Sequence, residues 1–214
     1  HKLYKSFVPA HWRKASRWVF GVAAVAVFLS LKAVKPAAPL TVYFYNVGQG
    51  DAIHIRTAKG FDVLIDGGPT ARVVEKLGRT LPFWDHTIEL MVLTHPHADH
   101  AVGLISVLKR FKVAKVLATG ALHTTDEYIE WLKEIKKQGV AMQVAKNGQK
   151  IVLSTPGTPD APELLILWPR ASYEGKRVIE HGAGEGGGLN DTSIVAKLTY
   201  GQTSFLLMGD ATSV

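Results

Sequence analysis

Leu90-Met91-Val92-Leu93-Thr94-His95-Pro96-His97-Ala98-Asp99-His100 is the stretch whose reading decides the fold. A short apolar run reads as a strand, and three histidines and an aspartate come directly after it within six residues. Side chains two apart share a face in extended backbone, so His95 and His97 can grip one metal ion while Asp99 and His100, one turn further on, reach a second. Pro96 keeps His95 out of the helical region. Gly103-Leu104 is expected to open a helix whose amino-terminal dipole favours an anion. Four nitrogen and oxygen donors converging this closely point to a metal centre rather than to a surface loop with chance histidines.

Outward from this stretch, strand and helix signals alternate. Strands are expected at 40–45, 52–57 and 61–65, separated by the turns Gly48-Gln49-Gly50-Asp51 and Ala58-Lys59-Gly60, which predicts an antiparallel start. A helix over 71–78 comes next, then the strand 90–94, an amphipathic segment over 103–111 and a strand at 114–119. Thr124-Thr125-Asp126-Glu127 has a capping-type pattern and opens a helix that buries Tyr128, Trp131, Leu132 and Ile135 and stops at Gly139. Further strands are expected at 142–145, 150–153, 164–168, 192–200 and 203–208. The pattern predicts an α/β domain with sheets packed face to face between helix layers.

Composition bounds the chemistry. The chain has 214 residues and no cysteine, which excludes disulfides, thiolate metal sites and thiol nucleophiles. Any metal must be held by His, Asp, Glu or Asn. The net charge of +7 is carried by the first 39 residues, with seven Lys/Arg and no Asp or Glu; residues 40–214 hold 18 of each sign. The domain is neutral, so nothing in its charge supports tight nonspecific binding of nucleic acid.

Residues 18–31 contain no charge, and Ala33 and Val34 extend the run past Lys32. We read 18–34 as a transmembrane helix embedded in the lipid bilayer. It comes after a basic segment, 1–17, placed in the cytoplasm by the positive-inside rule, and precedes a stiff linker at 35–39 with Pro36 and Pro39. Residues 40–214 would then lie on the extracytoplasmic face. The chain begins with His, which suggests a piece of a longer polypeptide, other parts of which would be its partners.

At His95, His97, Asp99 and His100 the sequence resembles the metallo-β-lactamase superfamily, whose His-x-His-x-Asp-His motif it matches in full. Val63-Leu64-Ile65-Asp66-Gly67-Gly68 and Leu206-Leu207-Met208-Gly209-Asp210-Ala211 look like the early strand-end aspartate and the later metal-bridging aspartate. Within the superfamily, Tyr45-Asn46-Val47-Gly48-Gln49-Gly50-Asp51-Ala52 and Asn190-Asp191-Thr192-Ser193-Ile194-Val195 resemble the extracytoplasmic domain of ComEC-type DNA-internalisation competence proteins.

The resemblance implies an αββα sandwich, truncated at its C-terminus and preceded by one transmembrane helix, in a bacterial inner membrane. It implies two divalent metal ions, Zn²⁺ or Mn²⁺: His95 and His97 on the first, Asp99 and His100 on the second, Asp210 bridging and Asp66 supporting from beneath. Asp99 would orient or deprotonate the attacking water. Asn190 stands where many members have a third histidine, as a metal or substrate contact, and the family's last histidine would lie beyond Val214. DNA is the implied substrate. The alternatives are another ester or lactam, or a non-catalytic module that guides DNA.

The other polar candidates read as structural. Asp51 is equally a turn residue or a supporting site residue. His54 alternates with Ile53 and Ile55 and is expected to face solvent, His86 lies in a polar loop and His123 precedes a helix. His181 sits beside the glycine-rich stretch 182–188, which could let it swing toward Asn190 and the metals but reads rather as a loop, and which lacks the flanking strand and helix of a phosphate-binding loop.

Overall fold

The computed structural model describes residues 39–155, 157–158, 160–178 and 188–212. The expected transmembrane helix and basic segment, and His181, lie outside the described residues. Among the described residues no helix is long and apolar enough to cross a membrane.

The strands are β1 (Thr41–Phe44), β2 (Ile53–Arg56), β3 (Asp62–Ile65), β4 (Thr87–Ile88), β5 (Leu90–Val92), β6 (Lys112–Val113), β7 (Lys115–Ala118), β8 (Ala141–Val144), β9 (Lys150–Val152), β10 (Glu163–Trp168), β11 (Val195–Tyr200) and β12 (Thr203–Leu207). The helices are α1 (Arg72–Thr80), α2 (Ala98–Leu108) and α3 (Asp126–Gln138), with a 3-10 turn at Leu189–Thr192.

One sheet of six strands has the order β1-β2-β3-β5-β7-β8, and a second of four has the order β12-β11-β10-β9. The expected antiparallel start is present in β1, β2 and β3. From β3 onward the first sheet is parallel, because each strand returns through a helix.

Alternation in the central strands separates two cores. Leu64, Met91 and Val116 pack under the helices with Leu77, Leu104, Leu108, Trp131 and Ile135. Val63, Ile65, Leu90, Val92 and Leu117 face the second sheet and meet Leu153, Leu164, Ile166, Ala196 and Leu198. This gives a helix layer and two large sheets among the described residues, beside a two-stranded parallel pair of β4 and β6. The outer face of the second sheet, with Val152 54% and Leu206 57% exposed, carries no helix among the described residues, so the second helix layer of the expected αββα sandwich is not seen among them.

Three local expectations change. α2 begins at Ala98 rather than at Gly103, since His97, extended at φ −80° and ψ 149°, serves as its N-cap. Asp99 and His100 are thus in the first helical turn. Thr125 caps α3 through its backbone only; its hydroxyl pairs instead with His123 Nδ1 at 3.1 Å. His54 is fully buried, not exposed, because α1 covers the face of β2 that alternation leaves outside the inter-sheet core. There it bonds Asp62 Oδ1 at 2.7 Å and the Tyr45 hydroxyl at 2.8 Å. Burial pushes the Tyr45 hydroxyl well above the usual phenol range.

Two close approaches position the functional end of the sheet. A Cβ on Gly103 would stand 1.8 Å from the Gly67 carbonyl oxygen, so α2 presses its first turns directly onto the segment leaving β3. A Cβ on Gly50 would stand 1.9 Å from the Asp99 carbonyl oxygen, and Gly50 has φ +71°. The Gly48–Asp51 turn therefore rests on the first turn of α2, with its backbone against Asp99.

Candidate metal centre

β3 and β5 end side by side, and the residues just beyond their ends build the site. Asp66 leaves β3 at φ 56°, a conformation an aspartate adopts more readily than a bulky residue. Its side chain is fully buried and accepts three hydrogen bonds: from the Thr94 amide to Oδ1 at 2.8 Å, and from the Thr94 hydroxyl and His100 Nδ1 to Oδ2 at 2.6 and 2.8 Å. Asp66 thus fixes both the strand end and the orientation of His100.

His95 and His100 are fully buried, and their ring centroids lie 4.2 Å apart. The His95 Nδ1 faces the hydroxyls of Thr94 at 3.0 Å and Ser193 at 3.3 Å, while its Nε2 lies 2.9 Å from His97 Nδ1. With its Nδ1 turned to Asp66, His100 directs Nε2 to within 3.4 Å of Asp210 Oδ1 and 3.9 Å of Asp99 Oδ1. Asp99 Oδ2 accepts from Gln49 Nε2 at 3.1 Å, and the Asp210 amide donates to Ser193 Oγ at 3.3 Å.

The structure brings His95, His100 and Asp210 together with one donor atom each inside 4.8 Å, and Asp51, Asp66 and His100 likewise. Asp51 is therefore at the site rather than only in its turn. Burial pushes its carboxyl above the usual range, and Asp66 adds to this. Burial also pushes His95 down to about 2, helped by His100 and His97. For His100, burial acts downward too, but the bond to Asp66 and the charges of Asp66, Asp210 and Asp99 prevail, and it is pushed up to about 9.

This donor set fits a divalent cation. His100 Nε2 is buried and accepts or donates no hydrogen bond, although buried polar atoms are normally bonded. The side-chain oxygen of Asn190, on the 3-10 turn just before Ser193, is in the same condition. Neutral imidazole and carboxylate together suit Zn²⁺ or a harder ion such as Mn²⁺.

Three contributors escape a reading of the sequence. Thr94 ends the apolar strand, and its polarity at that register is the available signal. Ser193 and Gln49 stand within motifs that assign them no role. Ser193 has no signal of its own, because its contacts depend on β11 meeting β5 through the Ile194 amide and the Thr94 carbonyl.

Comparison with solved structures gives low identity throughout. A variant of CmlA beta-hydroxylase is 18% identical over 84% of this chain and 32% of its own, with a TM-score of 0.48. MEM-A1, a subclass B3 metallo-beta-lactamase from a soil metagenome library, is 17% identical over 79% and 60%, at 0.47. The metallo-beta-lactamase fold protein YhfI of Bacillus subtilis is 13% identical over 79% and 58%, at 0.44. The chain thus spans about a third to three fifths of the length of these structures. No curated protein matches. The sequence profile of the Metallo-beta-lactamase superfamily matches residues 45–214, most of the chain and every site residue described above, and the chain belongs to that superfamily.

Proposed function

We propose that this chain is a metal-dependent hydrolase of phosphodiesters, with DNA as substrate, in a membrane-anchored competence protein of the ComEC type. The domain lies on the extracytoplasmic side of the bacterial inner membrane. The observation that carries the hydrolase reading is the cluster of the buried His95 and His100 with the part-exposed Asp210, its His100 Nε2 unbonded, beside the partly exposed Asp99.

His95 and His97 would hold one ion and Asp99 and His100 a second, with the Asp210 carboxylate, close to both His95 and His100, available to either. When bound, divalent cations make water more acidic and stabilise charge on a leaving oxygen. Asp99, steadied by Gln49, orients the attacking water and accepts its proton. Asp66 keeps the His100 proton on Nδ1, which leaves Nε2 as the donor. Asn190 offers a neutral oxygen to an ion or to substrate.

Both segments that carry the competence-type resemblance contribute to this one site, Gln49 and Asp51 from the first and Ser193 from the second, which supports the finer reading. The charge balance of the domain favours a second reading, hydrolysis of a small neutral ester or lactam. The test is cleavage of single-stranded DNA and of a chromogenic lactam by the Mn²⁺- or Zn²⁺-loaded chain, each with an Asp99→Ala control. DNA cleavage that disappears in the variant supports the proposal. Lactam hydrolysis without DNA cleavage selects the second reading, and bound metal with neither activity leaves the DNA-guiding module.

A further inference from the structure

At the opposite end of the sheet from the metal centre, Pro82-Phe83-Trp84-Asp85 forms a tight turn closed by the Asp85 amide on the Pro82 carbonyl at 2.9 Å. Positions at such a tip are normally taken by Gly, Asn, Asp or Ser. Here they hold Phe83 and Trp84, 85% and 72% exposed, packed edge to face with ring centroids 4.8 Å apart. The turn is held rigidly. Arg56 bonds Asp85 Oδ2 at 3.0 Å and Asp62 Oδ2 at 2.5 Å, and the Lys112 amide donates to the His86 carbonyl at 2.8 Å. The rings are thus presented to solvent by a braced loop.

Two observations identify what covers them. The described chain begins at this same end: Thr41 opens β1 opposite Arg56, which pairs across β2 and β3 with Asp62. The sequence before Pro39 carries the uncharged run 18–31. The surroundings are also basic. Strands of the parallel part start here and helices end here, leaving Lys59, Arg110, Lys112, Lys115 and Lys136 exposed, against the exposed Asp160 beside Lys59; Asp85 is engaged by Arg56 and Glu89 by the Asp62 amide. Helix dipoles account for cations at helix ends. They do not account for two aromatic rings among them, a combination that matches the interfacial zone of an anionic bilayer, where Trp is favoured and Lys and Arg meet headgroups.

We infer that Phe83 and Trp84 insert into the headgroup region of the membrane, seating the domain on an anionic lipid surface with the metal centre turned away from it. This rests on the reading of residues 18–34 as a membrane anchor.

The chain has no cysteine, so Trp84→Cys gives a single attachment point for a nitroxide, and Glu174→Cys, in the loop that packs on Gly120 at the metal end, gives the control. The full chain is reconstituted into phosphatidylcholine–phosphatidylglycerol vesicles, and relaxation by oxygen is compared with relaxation by a water-soluble nickel reagent. Position 84 is expected to favour oxygen and position 174 nickel, with Phe83→Ser shifting position 84 toward nickel. Equal, nickel-dominated relaxation at both positions of a vesicle-bound chain overturns the inference while leaving the anchor intact. A chain that does not associate with vesicles refutes the anchor and the inference with it. A label at position 84 immobilised by single-stranded DNA without lipid makes the tip a base-stacking platform and overturns the lipid assignment.

Discussion

Asp66→Asn separates the supporting role of Asp66 from mere space filling, because the substitution keeps the shape and changes only which atoms can accept. The Thr94 amide needs an acceptor, so the remaining oxygen stays on it at the place of Oδ1, and the new NH₂ falls where Oδ2 took bonds from the Thr94 hydroxyl and from His100 Nδ1. The hydroxyl can turn and accept. His100 can accept at Nδ1 only by moving its proton to Nε2, the atom 3.4 Å from Asp210. A protonated Nε2 has no lone pair for a metal.

The buried charge-assisted bond lost with Oδ2 is worth about 1.5–3 kcal/mol, which sets the expected loss of stability of the metal-free chain in urea. Loss of an outer-shell partner of a histidine ligand typically costs about 10- to 100-fold in metal affinity, which sets the expected shift in a calorimetric titration. Above about pH 9, where the ring is neutral, nitrogen-15 spectra of His100 would show the proton on Nε2 in the variant and on Nδ1 in the parent chain. Unchanged metal affinity with the proton still on Nδ1 would refute the account of how Asp66 sets this site.

Other consequences arise from the same geometry. Without metal, His95 is held neutral by burial, so stability present above its unfolded value of 6.5 is lost as pH falls below it; His100, pushed up to about 9, contributes stability below 6.5 that is lost as pH rises through about 9. Thermal melts of the metal-free chain should therefore peak near pH 6.5, and Asp66→Asn should flatten the alkaline side; a stability rising steadily to pH 9 contradicts this. Gly103→Ala drives a methyl into the Gly67 carbonyl and should cost about 1–3 kcal/mol or more, read by urea denaturation, since backbone lies on both sides. Asn190→Ala removes an oxygen that makes no hydrogen bond, so the metal-free melting temperature should stay level or rise while metal affinity falls; a lower melting temperature with unchanged affinity would make Asn190 structural.

The candidate metal site is legible in the sequence because its signal is local. An apolar strand running into His95, Pro96, His97, Asp99 and His100 specifies both the support and the donors, and the aspartates at 66 and 210 stand at strand ends that apolar runs mark. The α/β alternation and the antiparallel start are legible for the same reason. Contacts made by residues far apart are not. His54 looks solvent-facing in sequence because period-two alternation says which face a residue is on, not whether a helix covers that face, and α1 does. The start of α2 is expected at Gly103 because glycine punctuates sequence, whereas here Gly103 lies inside the helix to let it touch Gly67. Asp51 is indistinguishable from a turn residue until Gly50 is seen pressed against Asp99.

The central claim is that His95, His100 and Asp210, with His97 and Asp99 beside them, hold divalent metal. The most direct measurement is the amount of Zn²⁺ or Mn²⁺ retained per chain after equilibrium dialysis of the full-length protein, compared with Asp210→Asn and with His95→Ala/His100→Ala. The account predicts stoichiometric metal on the parent chain, a clear loss in Asp210→Asn and none retained by the double variant. Metal retained equally by all three, or by none, contradicts it.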